Sequence, residues 1–120
     1  MGIWKTASRI LYVDDMAKAS VFVMQLPKEQ YQVVTSPMQS HLNVVFGSDV
    51  SIRELVELIA KTIEYDGMIR YDTAMPDGAP QKLMDSSRLN QLGWKPLLAL
   101  EDGLYQTYKQ FKHSVLGLPE

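Results

Sequence analysis

At 120 residues, 46% hydrophobic and 22% charged, the chain can form one domain around one modest core. Twelve basic against fourteen acidic side chains leave a net charge of −2 and no basic block, which disfavours nucleic acid as a partner, because phosphate binding draws on clustered Lys and Arg. With no cysteine there is no disulfide, no thiolate zinc site and no cysteine nucleophile, and no apolar run has the length of a signal core or a membrane span; a cytoplasmic, soluble single domain over residues 1–120 is expected.

In chain order, residues 10–13 (ILYV) are apolar and β-branched enough for a short strand. Asp14 and Asp15 then offer an N-cap and first-turn negative charge for a helix running towards Leu26 and stopped by Pro27. YQVVT (31–35) and LNVVF (42–46) read as strands, the second apolar enough to be buried on both faces, with the loop SPMQSH between them. Ser51 and Glu54 have the spacing of a capping box, in which each side chain satisfies a free backbone N–H at a helix start. Ile52, Leu55, Val56, Ile59 and Ile63 follow at helical intervals, and Gly67 closes the segment. MIRYD (68–72) is the next strand. Asp85 or Ser86 caps a helix through Leu92 that ends at Gly93, with Pro96 beyond, and a last helix covers about 101–115. This alternation predicts an α/β fold, a small layered domain in which a short, mainly parallel sheet from YQVVT, LNVVF and MIRYD carries the helices.

Few residues carry recognisable chemistry. Gly47, Gly67, Gly78, Gly93 and Gly103 are isolated, so neither a dinucleotide-binding loop nor a P-loop can be built, and no cofactor site is expected. His41 and His113 lack metal-ligand spacing; a structural His41 and a solvated His113 are expected, with no metal. Asp14 and Asp15 are consecutive and point apart on a helix, so a cap explains them better than a catalytic carboxylate pair. Tyr105 with Lys109, and Tyr108 with Lys112, share the Tyr-x-x-x-Lys spacing of short-chain dehydrogenases. These matches overlap in one amphipathic helix where Leu104, Tyr108 and Phe111 form a packing stripe, and both read as accidental. In residues 70–96, Pro76 and Pro80 stiffen the backbone around an Asp77-Gly78 turn, and Lys82 follows. A carboxylate and an ammonium thus share a constrained loop, although a connection that merely turns a corner is the simpler reading of these residues alone.

LYVDDMAKAS, SPMQSHLNV, SIRELVELIAKTI, PDGAPQKLMDSSRLNQLGWKP and LEDGLYQTYKQF stand in the order found in the C-terminal portion of the GDP-L-fucose synthase family, which the chain resembles over roughly residues 9–112. The VDD-M-A and LGW-K-P elements are shared among extended short-chain dehydrogenase/reductases; SPMQSHLNV with PDGAPQKLMD is more specific to the fucose synthase branch. The resemblance implies the smaller substrate domain of an enzyme that uses NADP to epimerise and reduce GDP-4-keto-6-deoxymannose. That family's cofactor loop and Ser-Tyr-Lys set lie in its N-terminal Rossmann portion, which these residues do not include. It also implies that Asp77 contacts the nucleotide sugar, with Lys82 nearby, and that Trp4 and Arg9, aligned across a gap, match a tryptophan and an arginine that approach the substrate. The match departs from the family at Gln81, where an arginine is usual, and at Val45 and Phe46, which replace small residues. Loss of a planar cation weakens the case for a diphosphate site.

Two classes of function follow: a nucleotide-sugar-binding module without catalysis of its own, and a structural or protein-interaction domain that reuses the scaffold. A homodimer is also expected, because Val21, Val23, Met24, Val44, Val45 and Phe46 are strongly apolar and a domain of this size hides only about two-thirds of its chain surface.

Overall fold

A computed structural model describes residues 7–46, 48–75 and 84–119. Among them lie a two-stranded sheet and five helices: β1 (Ala7–Ser8), α1 (Val13–Met24), α2 (Lys28–Val34), β2 (Val50–Ser51), α3 (Ile52–Thr62), α4 (Ser87–Gln91) and α5 (Leu100–Ser114). The α/β class and the short sheet agree with the sequence reading. The strands differ from it in place and in direction. β1 and β2 pair antiparallel, Ala7 opposite Ser51 and Ser8 opposite Val50, where a mainly parallel sheet was expected.

None of the three expected strands joins this sheet. YQVVT lies within α2 and its C-cap: Pro27 opens a helix, Lys28, Glu29 and Gln30 are good helix formers, and Thr35 Oγ1 donates to Tyr31 O at 2.7 Å. LNVVF and MIRYD have no regular structure. A strand exists through its ladder, and no described segment pairs with either run. ILYV likewise runs without a ladder into α1.

The helix expectations hold more closely. α1 starts at Tyr12 as N-cap, with Asp14 and Asp15 in its first turn, and ends just before Pro27. The capping box of α3 is complete: Glu54 N donates to Ser51 Oγ at 3.2 Å, and Ser51 N to Glu54 Oε2 at 2.7 Å. Its end falls three residues earlier than Gly67. Glu64 takes the left-handed position at φ 56°, while Tyr65 N donates to Ala60 O at 2.8 Å and Glu64 N to Lys61 O at 3.3 Å. The same closure ends α4 at the expected glycine: Gly93 has φ 97°, and Trp94 N and Gly93 N donate to Leu89 O and Asn90 O.

The core forms where the inner face of α1 meets α4 and the turn behind it. Ala19, Leu89 and Trp94 are buried, and Leu11, Phe22, Val23, Leu42 and Val44 pack around them. LNVVF is therefore drawn onto this core without a ladder, and Val45 is buried too. Of the six residues expected to form an exposed patch, Val23, Val44 and Val45 are packed, Phe46 is half-buried, and Val21 and Met24 face solvent. α3 packs on α5, where Lys61 Nζ reaches Glu101 Oε1 at 2.7 Å. Gly103 of α5 lies under Tyr12, whose Cβ would be 3.3 Å from a Cβ at that position.

The whole is flat and open. It measures 54 × 43 × 18 Å with a radius of gyration of 17.9 Å, against about 14 Å for a compact domain of this length. Its accessible surface of 9014 Å² exceeds the roughly 6,600 Å² of a compact monomer of 13.6 kDa. No helix among the described residues is long and apolar enough to cross a membrane.

Candidate functional site

Of the four residues singled out from the sequence, Arg9 lies within the described part; Trp4, Asp77 and Lys82 lie outside it. Arg9 follows β1, and the antiparallel register brings it beside Asp49, which precedes β2. Its Nε donates to Asp49 Oδ1 at 2.8 Å and its Nη1 to Met84 O at 2.6 Å. The guanidinium thus joins the sheet to the residue that follows 76–83.

Two more side chains hold the same segment. Asn43 Nδ2 donates to Asp85 O at 3.2 Å, and Arg88 Nη2 to Gln39 Oε1 at 2.7 Å. Asp85 accepts from Ser87 N at 2.8 Å and Ser87 Oγ at 3.0 Å, and the backbone bond is the main reason its carboxyl lies below the ordinary range. Two distant stretches, at Arg9 and over 39–43, therefore grip residues 84–88. Arg9 serves here as a bracket, with two of its donors committed to protein.

Ser48 and Ser86 line a cavity of about 300 Å³ with Val45, Phe46, Asn90, Lys95 and Pro96. One ammonium and several neutral hydrogen-bonding groups on an apolar floor suit a polar ligand with an anionic portion. The sequence reading passed over Lys95. Its signal was the Gly93-to-Pro96 stretch, where the helix closure and the proline fix the backbone on either side of it.

The other carboxylate of interest is Asp15. Expected as part of a cap, it is fully buried and reaches across the chain, its Oδ2 accepting from Leu97 N at 3.1 Å and Leu98 N at 3.0 Å. Oδ1 has no hydrogen-bond partner among the described residues. Asp15 is a structural clasp between α1 and the stretch leading to α5, facing away from its exposed neighbour Asp14.

The tyrosine–lysine matches resolve physically. Lys112 Nζ lies 4.8 Å from the centre of the Tyr108 ring, over its face, and Tyr105 is exposed. Tyr12 is shifted away from acid–base use near neutrality: desolvation, followed by the Asp14 carboxylate, raises its phenol above the usual value. His113 is exposed as expected, and His41 is exposed where a structural role was anticipated. Among the described residues no His, Asp and Glu cluster could hold a metal ion. Of the described helices, α1, α2, α3 and α5 open at Tyr12, Pro27, Ser51 and Ala99, none on a glycine-rich turn.

No family model matches the chain. It is 50% identical over 101 residues to GDP-L-fucose synthase of Escherichia coli K12, a stretch covering 84% of this chain and 32% of that enzyme. It is 40% identical over 116 residues to GDP-L-fucose synthase 1 of Arabidopsis thaliana, covering 94% and 33%. A solved GDP-6-OMe-4-keto-L-xylo-heptose reductase from Campylobacter jejuni superposes with a TM-score of 0.79 at 26% identity, over 89% of this chain and 31% of that one. The fold is thus part of an extended short-chain dehydrogenase/reductase. Within that class the chain is similar to the GDP-L-fucose synthases, and it spans about a third of the length of the relatives it matches.

Proposed function

We propose that the chain is the sugar-nucleotide-handling module of a GDP-L-fucose synthase-like epimerase/reductase, binding a GDP-sugar weakly and transferring no hydride by itself. The observation that carries this reading is the 50% identity over 101 residues, which includes the Asp77–Lys82 loop motif within the family-like order of segments. Asp77 contacts the sugar or ribose hydroxyls, Lys82 meets the diphosphate, and Trp4 and Arg9 border the site. Arg9 does so as the bracket that fixes residue 84. The module acts in the cytoplasm as a homodimer and holds no cofactor of its own, since NADP would need a Gly-rich loop that these 120 residues do not contain.

Calorimetric titration with GDP, GDP-mannose and GDP-fucose tests the binding. Millimolar affinity that is lost in Asp77→Ala supports it. An amide spectrum around Asp77 that does not move at millimolar GDP-sugar refutes it. NADPH turnover by the purified chain with a GDP-4-keto sugar would refute the non-catalytic part.

The second reading is a structural or protein-interaction domain without a ligand. It is favoured by the engagement of Arg9 with Asp49 and Met84, by Gln81 in place of an arginine, and by the excess surface of the molecule. It predicts no heat with any GDP-sugar and an intact fold in Asp77→Ala.

A further inference from the structure

The cavity of about 300 Å³ lined by Phe46 and Lys95 contains a buried hydroxyl whose proton has no acceptor among the described residues. That hydroxyl belongs to Ser86, which is 7% exposed. Ser86 is the N-cap of α4, where a serine ordinarily commits its side chain to the helix, yet it makes no cap bond; the Asp85 carboxylate takes Ser87 N instead. Ser86 Oγ accepts from Asn90 Nδ2 at 3.5 Å and donates to none of the described groups. A buried donor left unmade is costly, so the hydroxyl calls for a partner that these residues do not supply.

The other polar groups of the cavity define that partner. Asn90 Nδ2 carries a second N–H, Ser48 carries a hydroxyl, and Lys95 carries an ammonium that makes no ion pair among the described residues. All of them can donate, and no carboxylate lines the space. The acidic residues adjacent in sequence, Asp49 and Asp85, are engaged with Arg9 and with Ser87. A negatively charged, acceptor-only group satisfies this set, through bonds stronger than those to a neutral acceptor. A lone water would take the Ser86 proton, but it would give Lys95 no counter-charge and leave Val45 and Phe46 uncovered. The volume, at the small end of ligand cavities, admits an apolar body about one ring across beside the anion.

We infer that this cavity binds a small organic anion, a phosphate or carboxylate group on an apolar body, with Lys95 and Ser86 holding the oxyanion and Val45 and Phe46 covering the body. The inference goes beyond the GDP-sugar reading and uses neither Asp77 nor Lys82.

Phenyl phosphate is the probe, titrated to about 20 mM into the full chain and followed in amide spectra, since a ligand of this size on an open cavity should dissociate at about 1 mM. The amides of Ser86, Asn90 and Lys95 should move on one isotherm. Inorganic phosphate, which lacks the ring, and benzoate, which carries a single charge, should each bind at least about fivefold more weakly. Benzoate binding more tightly than phenyl phosphate would make the preferred group a carboxylate and still support the site. Lys95→Met, at an exposed position, should raise the dissociation constant about tenfold. Ser86→Ala should raise it about fivefold with unchanged far-ultraviolet dichroism, because the hydroxyl does not cap α4. Asp77→Ala should leave it unchanged. Amides that stay in place up to about 20 mM of either organic anion overturn the site, and so does Lys95→Met binding as tightly as the wild type. Inorganic phosphate binding as tightly as phenyl phosphate overturns the organic ligand. Binding lost in Asp77→Ala overturns this inference and leaves the GDP-sugar reading standing, whereas phenyl phosphate bound by a chain that takes no GDP-sugar supports it and overturns only that reading.

Discussion

Replacing Asp15 should unlatch α1 from the stretch that leads into α5. The carboxylate is fully buried, and its Oδ2 holds two backbone N–H groups 82 and 83 residues away in the chain. Hydrogen bonds to an ionised acceptor each contribute about 1.5–3 kcal/mol, and a buried donor left unsatisfied costs about 1–3 kcal/mol. These figures overlap, since losing the bond and orphaning the donor describe one event, so Asp15→Ala should cost about 3–5 kcal/mol. Asp15→Asn keeps an acceptor oxygen at the same place and gives up only the charge. It puts an amide donor where Oδ1 has no partner among the described residues, and an intermediate loss of about 1–2 kcal/mol is expected. Urea unfolding followed by tryptophan fluorescence reads the difference well, because buried Trp94 sits beside the clasped residues. In thermal unfolding, each kcal/mol corresponds to about 4 °C for a chain of this length. If Asp15→Ala loses less than about 1 kcal/mol, or Asn is worse than Ala, the two N–H bonds do not hold the elements together and the reasoning fails.

Three further outcomes are expected. Glu64→Gly should stabilise by about 0.5–1 kcal/mol in urea unfolding, because Glu64 closes α3 at φ 56°, a position where glycine has no Cβ penalty. Gly93→Ala should destabilise by about 1–2 kcal/mol by the same measurement; nothing lies within 4 Å of an added Cβ, so the cost is the φ of 97° and not a collision. Stability should fall as pH drops below about 4, because Glu54 and Asp85 have folded-state carboxyls below the ordinary range, held there first by the backbone N–H groups of Ser51 and Ser87. Their contribution is complete above the unfolded-state value and is lost as pH falls through the folded-state value. Thermal midpoints measured from pH 6 downwards should therefore decline less in Glu54→Ala than in the wild type. A parallel decline refutes the assignment.

Short-range signals in the sequence gave way to structure faithfully wherever one helix contained both partners. Ser51 and Glu54 are three residues apart, and Gly93 follows its own helix, so the capping box and the α4 closure were legible. Glu64 was not, because left-handed backbone at a glutamate is rare and Gly67 stood nearby as the better candidate. Asp15 was misread for a related reason. A first-turn aspartate explains itself locally by the helix dipole, and nothing nearby reveals that its acceptors serve Leu97 and Leu98. Of the candidate site, Arg9 was identified but its partners were not, since Asp49 meets it only through the β1–β2 register and Met84 O lies 75 residues away in the chain.

The strand-like runs make the deeper case. YQVVT, LNVVF and MIRYD have strand composition, yet none is a strand here, because composition describes a surface that suits a sheet and supplies no neighbour to bond with. The consequences differ among the three. YQVVT satisfies its backbone internally as α2, leaving Val33 to solvent; LNVVF gives up a ladder and keeps its apolar side chains by lying on Ala19, Leu89 and Trp94; MIRYD leaves Met68 exposed. α1 belongs to the same series, with one apolar side buried and the other bare. YQVVT, MIRYD and α1 thus each leave large apolar side chains bare in a molecule 18 Å thin that exposes 9014 Å². The bare hydrophobic surface is a property of particular stretches, and in α1 it forms one continuous stripe from Val13 to Met24.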